Sequence, residues 1–169
     1  MPPDALLPIA EMHRSQFSMI VQKLERQGRF PCAKTPIRFL IAECESPATV
    51  LIAVFFAKLF GVDKITDISP LFETPSGLEN GARIMERLVE EETYRDYVRG
   101  RKRLTIQTGF SDAGRFIGQI SASLAIERYY LGLAALVERA GLKDVETLLF
   151  STHGESMGRG AHPGDGEGA

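Results

Sequence analysis

Apolar residues along this chain fall into two alternating patterns. Four short runs rich in β-forming residues end near residues 44, 73, 109 and 152, and the first three lead into segments whose apolar positions recur at helical spacing. Repeated strand–helix units of this kind indicate parallel strands joined by right-handed crossovers. Another helical pattern, from Ile9 to about Gly28, precedes the first run, and the proline-rich residues 1–8 are expected to be irregular.

Signals at the segment ends refine these helices. Ser46-Pro47 predicts an N-cap with proline at the first helical position, and that helix, apolar on most sides, is expected to be buried between layers. The segment 76–79 (SGLE) has capping-box spacing and is expected to begin the next helix. The charged stretch 90–103 is expected to form a solvated helix and its connection, and a last long helix is expected to end near Gly141.

Composition narrows the class of protein. The chain has 169 residues, of which 44% are hydrophobic and 25% charged, as expected for one globular domain. Its formal net charge of −2 favours neither nucleic acid nor an anionic membrane surface. Cys32 and Cys44 are too few for a disulfide framework or a zinc site, and the longest apolar stretch, Val50 to Leu59, is too short to span a bilayer. We therefore expect a soluble, cytoplasmic protein.

Polar and charged residues gather where the four runs end. Ligands bind at the carboxyl ends of parallel strands, so these positions define the expected site. His13, on the first predicted helix, is expected to be an exposed helix residue without a catalytic role. The candidates at the strand ends are Glu43 or Glu45, Glu73, Asp112, and His153 with Arg159.

Glu73 and Asp112 follow successive strands and are suited to hold Mg²⁺ or Mn²⁺. Two alternatives stay open: Asp112 as the N-cap of the long helix, and Glu73 as a loop carboxylate that accepts from backbone amides. Arg115 and Arg159 are expected to bind phosphate or carboxylate oxygens, or else to form surface ion pairs. His153 is the candidate proton carrier. Together these parts suggest a metal-assisted reaction on a small phosphorylated acid.

The fourth run ends in a glycine-rich loop at residues 153–164, which contains four glycines. Backbone amides and Arg159 could close around an anion there without Cβ atoms in the way. The alternative is a glycine-rich C-terminal tail. His162, beyond the loop's Gly-Arg-Gly, is a weaker candidate than His153.

Three segments, in this order, resemble those of a known family: LFET at 71–74, TGFSDAGR at 108–115 and HGESMGRGAHPG at 153–164. They are similar to the PLFET, GYSDSGK and HGRGGxxGRGG segments on successive strand ends in the catalytic half of phosphoenolpyruvate carboxylase. The resemblance covers roughly residues 37–164 and implies a helix-rich α/β fold, a partial (β/α) barrel of about four parallel strand–helix units. The chain then divides into an N-terminal helical segment (1–36), the partial barrel (37–164) and a disordered tail (165–169).

The resemblance also implies a reaction. Family members carboxylate phosphoenolpyruvate with bicarbonate, using Mg²⁺ or Mn²⁺ and no biotin, and release oxaloacetate and phosphate. Phosphoenolpyruvate and bicarbonate are then the partners of this chain, together with a second copy or the rest of the barrel. The implied site residues are Glu73 and Asp112 for the metal, Arg115, Gly158, Arg159 and Gly160 for the substrate, and Arg159 and His153 for catalysis.

The chain departs from the family pattern at the site. Arg115 stands where the family usually has lysine, and Glu155 stands after His-Gly where the family has arginine. The loop is also two residues shorter. Four units make about half a barrel, so we expect a fragment or truncated relative that associates with itself when expressed alone. The alternatives are a non-catalytic remnant that acts as an interaction module, and another metal-dependent barrel enzyme for a phosphorylated acid.

Overall fold

The structure is a computed structural model that describes residues 3–31, 34–109 and 118–152. In that part of the chain, five helices accompany four strands. The strands are β1 (Ile37–Ile41), β2 (Thr66–Phe72), β3 (Arg103–Gly109) and β4 (Glu146–Thr152). The helices are α1 (Pro3–Arg26), α2 (Pro47–Leu59), α3 (Pro75–Glu90), α4 (Glu92–Arg101) and α5 (Gln119–Arg139). The predicted α/β class is confirmed.

The four strands form one parallel sheet in the order β1-β2-β3-β4. Each strand lies next to its successor in the chain and is joined to it through at least one helix. This sequential order is that of a barrel segment, because a doubly wound sheet reverses its strand order at a switch point. All four carboxyl ends therefore lie along the same edge.

The strand register sorts the side chains onto two faces. Arg38 pairs with Asp67, and Leu71, four residues further along β2, pairs with Gln107. Gln107 in turn pairs with Phe150. Because side chains alternate along a strand, these five residues share one face of the sheet.

Helices cover the opposite face. Phe17 of α1 stacks on Phe39 of β1 with ring centroids 4.6 Å apart, and Phe72 of β2 meets Tyr129 of α5 at 5.3 Å. Gly81 of α3 allows this second contact, because a Cβ at that position would lie 2.8 Å from the Tyr129 ring. One hydrophobic core fills the space between the sheet and the helices.

The face without described helices is concave. Arg38 of β1 lies over the ring of Phe150 in β4, with the guanidinium carbon 3.9 Å from the ring centroid. In a flat sheet, three spacings of about 4.8 Å across the strands and a register offset of four residues at about 3.3 Å each would hold the two Cα atoms roughly 19 Å apart, beyond the combined reach of the two side chains. The sheet therefore curls toward this face, and its geometry is that of a partial β/α barrel with the helices outside.

Capping explains where two of the helices begin. Ser46 is the N-cap of α2 and accepts from the Ala48 amide at 3.3 Å, as predicted. The prediction for α3 was wrong by two residues, because Thr74 is the N-cap and accepts from the Gly77 amide at 2.9 Å. Thr74 with proline at the first helical position is a stronger start signal than the capping box at 76–79.

Three expectations about helices were wrong. Residues 3–8 are helical: Pro3 lies at the beginning of α1, where a missing amide costs no helical hydrogen bond, and the helix continues through Pro8 in its interior. His13 is buried at 2% exposure and meets the Phe39 ring edge-on at 5.3 Å. Helix α2 is not buried between layers, because its residues Phe55 and Leu59 are 57% and 63% exposed.

The charged stretch 90–103 contains a helix of its own, α4, which is not merely solvated. Tyr94, Tyr97 and Val98 are buried under it. The hydroxyl of Tyr97 accepts from the Ile68 amide at 2.8 Å and donates to the Thr66 carbonyl at 2.7 Å. Helix α4 is thus fixed to the beginning of β2 by a buried tyrosine.

Helix α5 has an exposed apolar face. Ile120, Leu124 and Leu131 are 79%, 55% and 67% exposed. By length and composition alone α5 could also cross a membrane, but core helices of soluble proteins pass the same test. Among the described residues it packs against α3.

Candidate active site at the carboxyl edge of the sheet

The carboxyl ends of β1, β2 and β3 bring Glu43, Glu73 and Gly109 to one edge. Glu73 follows Phe72, whose ring is fully buried on the helix side. Because side chains alternate, Glu73 belongs to the concave face with Leu71. A carboxylate is therefore presented at the mouth of the partial barrel, where sequence reasoning placed the site.

Backbone from β1 contacts this carboxylate. The Glu43 amide donates to Glu73 Oε1 at 3.4 Å, and the Cys44 amide donates to the Leu71 carbonyl at 3.1 Å. Glu43 has a left-handed backbone with φ of 46°, which turns the chain at the end of β1 so that its amide faces Glu73. Glu73 therefore accepts a hydrogen bond from a backbone amide, as the alternative to metal binding predicts.

Gly109 is packed directly against Glu73. A Cβ at position 109 would lie 2.5 Å from Glu73 Cβ, 3.2 Å from its Cα and 3.4 Å from its Oε2. No side chain fits at such distances, so glycine is required there for β3 to approach β2. Gly109 is not among the residues predicted for the site, although a glycine that ends a strand beside a candidate ligand is a usable signal.

The thiol of Cys44 lies behind this turn. It is 1% exposed and is close to the Thr49 hydroxyl, with Sγ and Oγ1 3.9 Å apart. Burial raises the pKa of the Cys44 thiol. It is therefore a neutral packing residue near neutral pH, with no role as a nucleophile.

An open cleft of about 570 Å³ lies beside this end of the sheet, between the start of α2 and one side of α3. Glu45 lines this cleft and is exposed. Arg83 and Arg87 of α3 line the other wall, and Arg83 donates to Asn80 Oδ1. These two arginines, one helical turn apart, are not among the residues predicted for the site.

Of the site residues that the family resemblance implies, Glu73 falls within residues 3–31, 34–109 and 118–152. Its carboxylate suits a hard cation such as Mg²⁺ or Mn²⁺, which takes oxygen ligands. No group of three His, Cys, Asp or Glu side chains around a common centre occurs in residues 3–31, 34–109 and 118–152. The others lie outside the described residues: Asp112, Arg115, His153, Gly158, Arg159 and Gly160.

Two described strands nevertheless end shortly before the segments that contain these residues. β3 ends at Gly109, and β4, which pairs with β3 along its whole length, ends at Thr152. The segment with Asp112 and the loop that begins at His153 thus depart from adjacent strands at the edge that holds Glu73. A sequence model of the family described as "Phosphoenolpyruvate carboxylase" matches residues 9–166.

The chain belongs to the phosphoenolpyruvate carboxylase family. Relatives named phosphoenolpyruvate carboxylase are 35% identical in Tolumonas auensis, 34% in Hahella chejuensis and 32% in Aeromonas hydrophila, each over 125 residues. These matches cover 74% of this chain but 14% of each relative. The resemblance of the three segments to this carboxylase family is confirmed, and the chain corresponds to a small part of its relatives' length.

Proposed function

We propose that this chain forms part of the active site of a phosphoenolpyruvate carboxylase. The reaction joins bicarbonate to phosphoenolpyruvate and releases oxaloacetate and phosphate, with no biotin. The observation that carries the proposal is the contact between Glu73 and Gly109, because it joins the LFET and TGFSDAGR segments at one edge of the sheet. Family membership supplies the chemistry that such an edge would perform.

In this proposal Glu73 and Asp112 hold Mg²⁺ or Mn²⁺. The bound ion would supply Lewis-acid stabilisation of the oxygen on which negative charge develops. Glu73 is suited to this by its position on the concave face, and the Glu43 amide orients its Oε1. Gly109 keeps the space in front of the carboxylate open.

Residues of the segment 108–115 and of the glycine-rich loop 153–164 would bind the substrate. Arg115 and Arg159 would hold the phosphate and carboxylate groups of phosphoenolpyruvate, and Gly158 and Gly160 would let the backbone approach them. His153 would move a proton during carboxylation. We further propose that the protein is cytoplasmic and works as a homo-oligomer or together with the rest of the barrel.

The proposal is tested by oxaloacetate formation from phosphoenolpyruvate and bicarbonate, with Mg²⁺ or Mn²⁺, in the 169-residue chain and in any longer form. Glu73→Gln and Asp112→Asn should each lower the rate at least about a hundredfold, because a metal ion contributes several kcal/mol to such reactions. Glu79→Gln, an exposed glutamate on α3, is the matched control and should leave the rate unchanged. Activity that survives both active-site variants would contradict the metal assignment.

A non-catalytic role is the second candidate, and Glu155 favours it. A carboxylate at the position where the family has arginine repels phosphate. An inactive parent chain whose Glu155→Arg variant forms oxaloacetate would assign the loss of activity to this residue. Turnover of phosphoenolpyruvate without bicarbonate would instead support another barrel enzyme for phosphorylated acids.

A further inference from the structure

A second charged site lies at the opposite end of the sheet. There an open cleft of about 420 Å³, which we term the amino-end cleft, has five cationic side chains on its walls: Lys34, Lys64, Arg101, Lys102 and Arg103. The seven residues of β2 separate it from Glu73, a distance of roughly 20 Å at about 3.3 Å per residue. The amino-end cleft is therefore distinct from the proposed active site.

A buried carboxylate holds the two arginines of this cleft. Asp67 is 2% exposed and accepts from Arg101 Nε at 2.8 Å. Arg103 Nη1 lies 3.7 Å from Asp67 Oδ2, and its Nε donates to Glu146 Oε2 at 3.1 Å. The two guanidinium groups are thus fixed before any ligand arrives, which lowers the entropic cost of binding.

The three lysines have no such partners. Within the described residues, Lys34, Lys64 and Lys102 form no ion pair, although they gather on the walls beside two arginines. The carboxyl end of α4 accounts for a cation at Lys102, which caps that helix. It does not account for Lys34 and Lys64, which come from segments before β1 and β2.

The charge balance of the cleft is opposite to that of the whole chain. Five cations face two carboxylates, Asp67 and Glu146, in a protein whose formal net charge is −2. The excess of positive charge in the cleft attracts anions. A ligand with two phosphate groups carries about three to four negative charges near neutral pH, which matches the excess of positive charge.

We propose that the amino-end cleft binds a small molecule that carries a diphosphate group. Arg103 and the lysines contact the phosphate oxygens, while Asp67 keeps the arginines in position. The cleft is compact, and the rest of the chain is acidic overall, so a small ligand suits it better than an extended nucleic acid strand. Nothing in this proposal depends on the carboxylase reaction.

Calorimetric titration of the 169-residue chain with inorganic pyrophosphate at low ionic strength tests the proposal. We expect saturable binding that weakens at least about tenfold in the double variant Lys64→Gln/Lys102→Gln. The control Arg14→Gln/Arg128→Gln removes the same charge from exposed positions on α1 and α5 and should bind as the parent does. Circular dichroism checks that all variants keep the parent's helix content.

Other outcomes would overturn the proposal. Equal weakening in both double variants would show general charge attraction, and absence of saturable binding to the parent would show that no site exists. Loss of binding in Arg115→Gln/Arg159→Gln, with Lys64→Gln/Lys102→Gln unaffected, would place pyrophosphate at the other edge of the sheet. Tighter binding of a single-stranded oligothymidylate that competes with pyrophosphate would identify a nucleic acid site.

Discussion

Gly109 determines how closely β3 approaches Glu73, and the substitution Gly109→Ala tests this. In Gly109→Ala the added Cβ would lie 2.5 Å from Glu73 Cβ, so either the strands separate or the carboxylate moves. We expect Mn²⁺ affinity, measured by electron paramagnetic resonance, to fall at least about tenfold, because metal ligation tolerates displacements of only tenths of an ångström.

Gly100→Ala is the matched control for this substitution. Gly100 lies in α4, and a Cβ there has no heavy atom within 4 Å. This change should leave Mn²⁺ binding intact and stabilise the helix by about 0.5–1 kcal/mol. If Gly109→Ala bound Mn²⁺ as tightly as Gly100→Ala, Gly109 would have no influence on the position of Glu73.

Tyr97 makes the stability of the fold sensitive to alkaline pH. Burial raises the pKa of Tyr97 above its ordinary value, since a phenolate would lose solvation next to β2. The stabilisation from the neutral phenol is complete below the unfolded-state pKa of about 10 and is lost as pH rises above it, because the unfolded chain releases its proton first. We expect the free energy of unfolding, from urea denaturation, to decline above about pH 10.

Tyr97→Phe separates this titration from packing. The variant should be less stable at pH 7.5 by about 1–3 kcal/mol, because the Ile68 amide loses its buried acceptor. Its decline above pH 10 should be shallower than that of the parent. Parallel declines would assign the alkaline sensitivity to other groups, such as the buried Tyr94, whose pKa burial also raises.

At the scale of elements, the Asp67 ion pairs join α4 to the sheet. Asp67→Asn would leave Arg101, only 11% exposed, without its carboxylate partner. We expect a loss of about 3–5 kcal/mol in the free energy of unfolding. Glu86→Gln breaks the exposed Arg139–Glu86 pair, whose side chains are 66% and 49% exposed, and should cost at most about 1 kcal/mol. Similar losses in the two variants would show that burial adds nothing to the Asp67 pairs.

The sequence predicted the strands and most helices because their patterns are local. β3 and β4 end at residues 109 and 152, as predicted, because polar residues follow each apolar run. The sequence of α4 predicts a solvated helix because its five charged residues outnumber the three side chains that are buried, Tyr94, Tyr97 and Val98. His13 was misplaced because its burial depends on Phe39, which is 26 positions away in the sequence.

The site was predictable only in part, for the same reason. The end of β2 placed Glu73 correctly, because a strand end is a local feature. The contact of Glu73 with Gly109 depends on the register between β2 and β3, which local patterns do not encode. The pairing of Asp67 with Arg101 likewise spans 34 positions.

At the scale of the whole molecule, apolar side chains remain exposed on α2 and α5. Phe55 and Leu59 of α2 and Leu124 and Leu131 of α5 are more than half exposed. We expect the isolated 169-residue chain to self-associate, with a weight-average mass by light scattering that rises above 18.6 kDa with concentration.

Substitutions on α5 test the source of this association. Leu124→Gln/Leu131→Gln should lower the apparent mass, whereas the control Glu127→Gln/Arg128→Gln, on the same helix, should not. A parent chain that stays at 18.6 kDa at every concentration would show that these surfaces do not associate.

The contact between Arg38 and Phe150 bears on how the protein is made. Both residues belong to the same continuous stretch of chain, and their contact joins β1 to β4 across the concave face. A nascent chain can therefore acquire this curvature as soon as Phe150 has left the ribosome. Any strand synthesised afterwards would meet a template that is already curved.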